Sequence, residues 1–308
     1  MMALALAAAA AAATVTIPGP KGPLEGTLLT AGAGAPVVVV IPGSGPTDRD
    51  GNSPLGITAA PYRLLAEALA GRGVSTLRID KRGLFGSKAA GDPNDVTVAA
   101  YAADTRGWAK EAARLTGRSC VWLLGHSEGG LVALQAAQDR QGLCGVILVA
   151  APGRPLGEVM RDQLRANPAN APILAPALAA IDSLEAGRRI DAAALPPPLP
   201  MLFPAAVQGY MIDLFAQDPQ RLAASLKVPL LIVQGDRDLQ VGVADARRLA
   251  AGAPAARLAI LPGVNHVMKR VTGNDAAADI ALYRDASVPV DAALVTVIAS
   301  MVTGPAGK

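Results

Sequence analysis

The sequence predicts an α/β fold in which a mostly parallel, eight-stranded sheet is flanked by helices on both faces and carries an inserted helical cap. Three observations predict it. Short β-branched and apolar runs alternate with stretches of helical spacing, the pattern of a sheet built from crossover units. One apolar run, residues 120–124, passes through Gly125-His126-Ser127-Glu128-Gly129 straight into a helix-like segment that starts at Gly130. The alternation stops over residues 154–226 and then resumes.

In chain order, residues 14–17 and 24–30 flank a Pro/Gly-rich turn and read as an N-terminal hairpin. Residues 37–41 form a continuous β-branched run, suited to a strand buried on both faces. A polar Gly-rich loop follows, then a helix over 61–70 with Pro61 in its first turn and Leu64, Leu65, Ala68 and Leu69 on one side. Residues 75–80 are the next strand. The helix over 99–115 places Tyr101, Thr105, Trp108, Ala112 and Leu115 along one face. Residues 145–150 form another buried strand. Beyond the cap come a strand at 228–234, a helix at 243–251, a strand at 256–261 and a last helix at 290–301. The intervening segment holds helix-like pieces at 156–164, 173–186 and 207–215, plus the breaker Pro196-Pro197-Pro198. So long a structureless loop does not fit a compact domain, which makes a helical cap the expectation. The domain boundaries expected are a core of residues 14–152 and 227–308, a cap of residues 153–226, and a leader of residues 1–13.

Composition bounds the function. With 51% hydrophobic and 17% charged residues over 308 positions, the chain has ample material for a core and lacks the character of a disordered protein. Aromatic residues are 3%, so the core must be built from Ala, Val and Leu. The formal charge of +3 is scattered over helix-like segments without a basic block, which speaks against a nucleic-acid partner. Residues 1–13 are an uncharged Ala/Leu run, too short for a membrane span of about 20 residues. They match the apolar core and cleavage region of a secretory signal without its basic start. Export to the periplasm or medium is the expectation, and a cytoplasmic protein with an Ala-rich terminus is the alternative. Cys120 lies six residues before His126 and Cys144 six before Ala150. On adjacent parallel strands this puts them level, so either a disulfide or two buried thiols fits.

Ser127 sits at the apex of a strand-turn-helix. Glycines two positions to either side relieve a turn this tight, and the helix start offers unpaired N–H groups and a positive dipole end to a developing anion. This segment, together with Gly43-Ser44-Gly45-Pro46-Thr47-Asp48-Arg49-Asp50-Gly51-Asn52, the turn Asp80-Lys81-Arg82-Gly83 and Gly235-Asp236-Arg237-Asp238-Leu239-Gln240-Val241, resembles the α/β-hydrolase superfamily. The likeness extends over nearly the whole chain after Thr14, to a bacterial esterase branch near the dienelactone-hydrolase-like and serine-aminopeptidase-like groups.

A serine hydroxyl needs a base to take its proton. The chain has two histidines. His126 adjoins Ser127, where neighbouring side chains point apart, which leaves His266 in the loop after the last strand. For the acid, Asp236 and Asp238 both follow the strand at 228–234. The resemblance implies Asp238, three residues beyond Gly235, with Asp236 free to pair with Arg237. The order Ser127, Asp238, His266 is that of α/β-hydrolases. The oxyanion donors expected are the N–H of Glu128 and that of Ser44, with Gly45 as the alternative to Ser44.

Other motifs carry little. Asp48-Arg49-Asp50-Gly51-Asn52 begins like a calcium loop, but Ala59 stands at its twelfth position, so Asp48, Arg49 and Asp50 are expected to brace the loop. Lys81 and Arg82 either hold that loop electrostatically or form a solvated turn. No metal cluster, P-loop or dinucleotide fingerprint is present, so no cofactor is expected. The resemblance implies ester hydrolysis through an acyl-enzyme on Ser127. A cap rich in Leu, Met and Ala points to small or medium apolar ester substrates. Thioester or peptide hydrolysis on the same triad is the alternative, and a non-catalytic binding module the more distant one.

Overall fold

The computed structural model describes residues 11–273 and 276–304. Eight strands form one sheet: β1 (Ala11–Pro18), β2 (Pro23–Thr30), β3 (Val37–Ile41), β4 (Ser75–Ile79), β5 (Val121–His126), β6 (Leu143–Val149), β7 (Leu230–Gly235) and β8 (Arg257–Leu261). Their order is β1-β2-β4-β3-β5-β6-β7-β8. β2 runs antiparallel to β1 and β4, and every other pair is parallel.

The helices are α1 (Pro61–Ala70), α2 (Val98–Thr116), α3 (Glu128–Ala136), α4 (Leu156–Ala166), α5 (Leu174–Glu185), α6 (Leu199–Leu202), α7 (Gln208–Phe215), α8 (Pro219–Ser225), α9 (Val243–Gly252), α10 (Ala276–Leu282) and α11 (Ala292–Thr303). Strand pleating divides them into two layers. Val37, Val39 and Ile41 of β3, with Leu123 of β5 and Leu148 of β6, pack against Tyr101, Trp108 and Ala112 of α2 and Val132 and Ala133 of α3. Their neighbours Val38, Val40, Leu124 and Ile147 meet Leu65 and Leu69 of α1 and Leu294 and Ile298 of α11 on the other side. A strand sandwiched in this way cannot alternate polar with apolar residues, which explains the unbroken VVVVI of β3.

Local signals set the helix ends. Thr97 caps α2 by accepting from the Ala100 N–H, and Gly117 closes it at φ 65°. Asp291 caps α11 through the Ala293 and Leu294 N–H groups. From α4 to α7 the chain builds a separate apolar cluster, with Leu164, Ile181, Leu184, Phe203 and Phe215 buried together over the sheet's C-terminal edge. Helices α8 and α10 were not expected from the sequence. Leu115, expected on the buried face of α2, is 38% exposed because the last turn passes beyond the sheet.

β1 starts at Ala11, and Ala12 and Ala13 pair with Leu29 and Leu28, so the strand begins within the stretch expected as a leader. The rest of that leader, residues 1–10, lies outside the described residues. In the β5/β6 pair, His126 stands opposite Val149, one residue short of the expected Ala150. A bulge between Val121 and Trp122, with Cys144 as the extra residue, absorbs the step. It brings Cys120 and Cys144 to a Cα separation of 5.2 Å, and the two form a disulfide.

A buried chain of hydrogen bonds joins the loops that follow β3 and β8. The Gly43 N–H donates to the Tyr62 hydroxyl at 3.1 Å. That hydroxyl lies 2.8 Å from His126 Nδ1, and His126 Nε2 lies 2.8 Å from the His266 carbonyl. A carbonyl only accepts, so Nε2 carries the proton and Nδ1 accepts from the Tyr62 O–H. Burial, with the adjacent His266 adding to it, pushes the His126 pKa down to about 3. His126 is thus a neutral linker with both ring nitrogens engaged.

Two predictions arise here. Replacing Cys120 and Cys144 together by Ser should lower stability in denaturant by about 3 kcal/mol, the loop-entropy value for a closure of this size; two thiols titrating in unreduced, denatured protein would contradict the bond itself. For His126, a pKa depressed on folding means that the unfolded chain takes up the proton first, so stability is present above pH ~6.5 and is lost as pH falls towards about 3. His126→Gln, which can still donate and accept, should flatten that acid slope by a few kcal/mol in pH-resolved melts, and an unchanged slope would show that other groups set it.

Candidate active site

Ser127 joins β5 to α3 with φ 54° and ψ −125°, a region that costs a non-glycine residue about 1–3 kcal/mol. The surrounding backbone enforces it. The Ser127 N–H donates to the Val149 carbonyl, and the Ser127 carbonyl accepts from the Gly130 N–H, both at 2.9 Å. A Cβ on Gly125 would lie 2.6 Å from Gly130 Cα, and one on Gly129 would lie 2.6 Å from the Pro42 carbonyl oxygen. The flanking glycines therefore yield to main chain. Their absence of Cβ lets the first turn of α3 sit directly on the ends of β3 and β5.

Asp238 and His266 come from the loops after β7 and β8. His266 Nδ1 lies 2.8 Å from Asp238 Oδ2, with the aspartate side chain fully buried and the imidazole 6% exposed. Asp238 Oδ2 also accepts from Gln234 Nε2, while Oδ1 accepts from the Gln240 and Val241 N–H groups. Burial alone would raise this carboxyl; the His266 partner and the two N–H donors outweigh it and hold the pKa below the usual aspartate value. Asp236 is occupied differently, accepting from the Gly263 N–H at 2.7 Å and so bracing the turn before His266. Ser127 and His266 line one recess of about 90 Å³. Among the described residues the Ser127 hydroxyl makes no hydrogen bond to His266, although both residues line that recess.

The loop after β3 lies against the serine. A Cβ built on Gly43 would be 3.2 Å from Ser127 Cβ. Ser44 lines both the small recess and a larger cavity of about 580 Å³ that also includes Ser127, Glu128 and Gly45. The N–H groups of Ser44, Gly45 and Glu128 donate to no acceptor among the described residues. The acidic and basic residues beyond act as a frame. Asp48 accepts from the Asp50 and Asn52 N–H groups, Asp50 pairs with Arg78, and Arg49 pairs with Glu25 while its N–H donates to Asp80. Lys81 holds the loop directly, its Nζ donating to the Gly43 carbonyl at 2.7 Å. Arg82 instead grips Asp104 of α2 through two hydrogen bonds.

Over the larger cavity, Leu156, Val159, Met160, Met211 and Leu214 of the cap supply apolar wall. Its floor is polar, with Lys81 and Glu128 both buried. Tyr210 of α7 donates its hydroxyl to Glu128 Oε1 at 2.7 Å, and its ring meets that of Tyr101 edge-on at 5.7 Å. Sequence reasoning gave Glu128 a role through its N–H alone and missed the side chain. Neither Tyr101 nor Tyr210 was singled out. A glutamate placed beside a buried elbow serine was the available signal, since a carboxylate there requires a partner.

Comparison with known proteins bears on the family and the fold. Esterase EstD of Thermotoga maritima is 31% identical over 243 residues, a stretch that is 76% of this chain and 54% of that protein, so the chain spans about half the length of this curated relative. Est1E from Butyrivibrio proteoclasticus, solved with ferulic acid, superposes with a TM-score of 0.57 at 19% identity, covering 88% of this chain and 96% of the other. The esterase Pf2001 of Pyrococcus furiosus gives 0.55 at 18% identity over 84% of each chain. These two structures speak to the fold. Residues 38–278 match the model of the alpha/beta hydrolase family. With most of its length under that match and the strand order and serine turn described above, the chain belongs to the α/β-hydrolase family.

Proposed function

We propose that the chain is a serine carboxylesterase that works through an acyl-enzyme on Ser127. The reading rests on the convergence of a strained, unengaged serine with the Asp238–His266 pair on one recess. The esterase EstD likeness supports the same reaction class. His266 Nε2 takes the Ser127 proton as Oγ attacks the ester carbonyl, and Asp238 fixes the tautomer and stabilises the imidazolium that forms. The carbonyl oxygen, now negative, accepts from the Ser44 and Glu128 N–H groups. His266 then returns the proton to the departing alkoxy oxygen, releasing alcohol and leaving the acyl-serine. Water attacks that acyl carbon, giving its proton to His266, and the acid departs as Ser127 is reprotonated.

An ester group fits the larger cavity in a definite sense, with its apolar portion against the cap and its carbonyl towards Ser44 and Ser127. This supports small or medium apolar esters, with polar contacts available at the floor and at Asn94, Gln163 and Gln240. The Cys120–Cys144 disulfide supports an oxidising location, periplasmic or secreted.

A fluorophosphonate should label the wild-type protein and not Ser127→Ala, read by intact mass; equal labelling of both would end the nucleophile assignment. Asp238→Asn should lower kcat for a p-nitrophenyl ester by about 10⁴-fold, as when an orienting aspartate is lost elsewhere. Asp236→Asn should cost far less, because its carboxylate braces a turn. The opposite ranking in steady-state kinetics would move the acid to Asp236.

A further inference from the structure

We propose that Lys81 is a positioning residue for the oxyanion site, acting through the peptide between Gly43 and Ser44: its ammonium polarises that peptide and aims the Ser44 N–H at the nucleophile. This deepens the esterase reading and rests on it. The argument starts from the peptide unit. In a planar trans peptide the C=O and N–H point in opposite directions, so a group that fixes the carbonyl of residue 43 also fixes the N–H of residue 44. Lys81 Nζ sits 2.7 Å from the Gly43 carbonyl oxygen. The other side of Gly43 is held as well, its N–H donating to Tyr62 at 3.1 Å. With both of its polar groups tied, Gly43 has no freedom to rotate the following peptide. That peptide lies beside the serine, since a Gly43 Cβ would be 3.2 Å from Ser127 Cβ.

Charge adds to direction. A hydrogen bond from an ammonium is roughly twice as strong as a neutral one, and it shifts electron density in the peptide towards oxygen, which makes the N–H at the far end a better donor. The effect is large only where water does not screen it, and Lys81 is 8% exposed. Burial pushes the Lys81 pKa down, and the Glu128 carboxylate acts against that in favour of the ammonium, while Tyr101 presents its ring 5.7 Å from Nζ. The same reasoning separates Ser44 from Gly45. The Gly45 N–H belongs to the next peptide, whose carbonyl accepts from the neutral hydroxyl of Thr47 at 2.9 Å. Ser44 therefore carries the stronger donor of the two, and the choice left open by the sequence falls to it.

A neutral hydrogen bond would suffice if Lys81 merely held the loop, so Lys81→Gln is the decisive variant, with Lys81→Arg as the cationic control. For an uncharged p-nitrophenyl ester, Lys81→Gln should lower kcat roughly ten- to hundredfold, less than the loss of an entire oxyanion donor, with KM little changed and the melting temperature kept. A trifluoromethyl ketone, whose serine adduct carries the same oxyanion, should lose affinity in proportion to kcat/KM, and Lys81→Arg should recover part of both. A kcat for Lys81→Gln equal to wild type, a rise in KM alone, or equal losses in the Gln and Arg variants would overturn the proposal. The middle outcome would make Lys81 a substrate contact. These failures are distinguishable from failure of the esterase reading, which shows as fluorophosphonate labelling that survives Ser127→Ala.

Discussion

The close approach of the first turn of α3 to the ends of β3 and β5 is the constraint on which the site depends. Main chain meets main chain at Gly125 and Gly129, where a single methyl group would collide with the backbone of Gly130 and Pro42. Because α3 cannot retreat, Ser127 is held at φ 54° with its carbonyl and N–H both engaged, and its hydroxyl projects from the sheet edge. The apolar layers on both faces stabilise this arrangement. They bury β3, β5, β6 and β7 almost completely, which leaves the strand tips no freedom to relax the strained turn.

Around that turn, several polar groups have been taken out of water and given partners. Asp238 has four hydrogen-bond donors, His126 uses both nitrogens, and Tyr62 both accepts and donates. Losing any one member would leave another buried and unsatisfied, at about 1–3 kcal/mol for a neutral group and more for a charged one. The network thereby converts packing energy into positional precision. It also couples the two loops that the chemistry must keep in register, since Gly43 and His266 are the ends of one hydrogen-bonded line through Tyr62 and His126.

Much of this was legible in the sequence because its signals are local. The VVVVI run and the Gly-x-Ser-x-Gly turn between strand and helix each encode their structure within a few residues. His266 is read from its place after the last strand once His126 is set aside, and Asp238 over Asp236 only by family resemblance; their side chains lie 2.8 Å apart. What was not legible depends on distant partners. The bulge at Cys144 arises from pairing between strands, and no periodicity within β6 announces it. Lys81 could be read as a solvated turn residue until β4 placed it beside β3 and under Gly43. Tyr210 lies in a cap helix whose own sequence says nothing about Glu128, 82 residues earlier.

The cap is joined to the core through few polar contacts, and their placement matters. The Val98 N–H at the start of α2 donates to Asp213, Gln163 donates to the Gln240 carbonyl, and Arg154 spans Asp162 and Asp245. Tyr210 alone among these reaches the residue that follows the nucleophile. Since Glu128 opens α3, this hydrogen bond ties α7 to the turn that carries Ser127. The cap has its own apolar core and is also packed on the main body, where Leu214 is buried with Val98 of α2 and Leu131 of α3. On the proposed esterase reading, the cap wall and the residue that follows the nucleophile are thus joined by one hydrogen bond, from Tyr210 to Glu128.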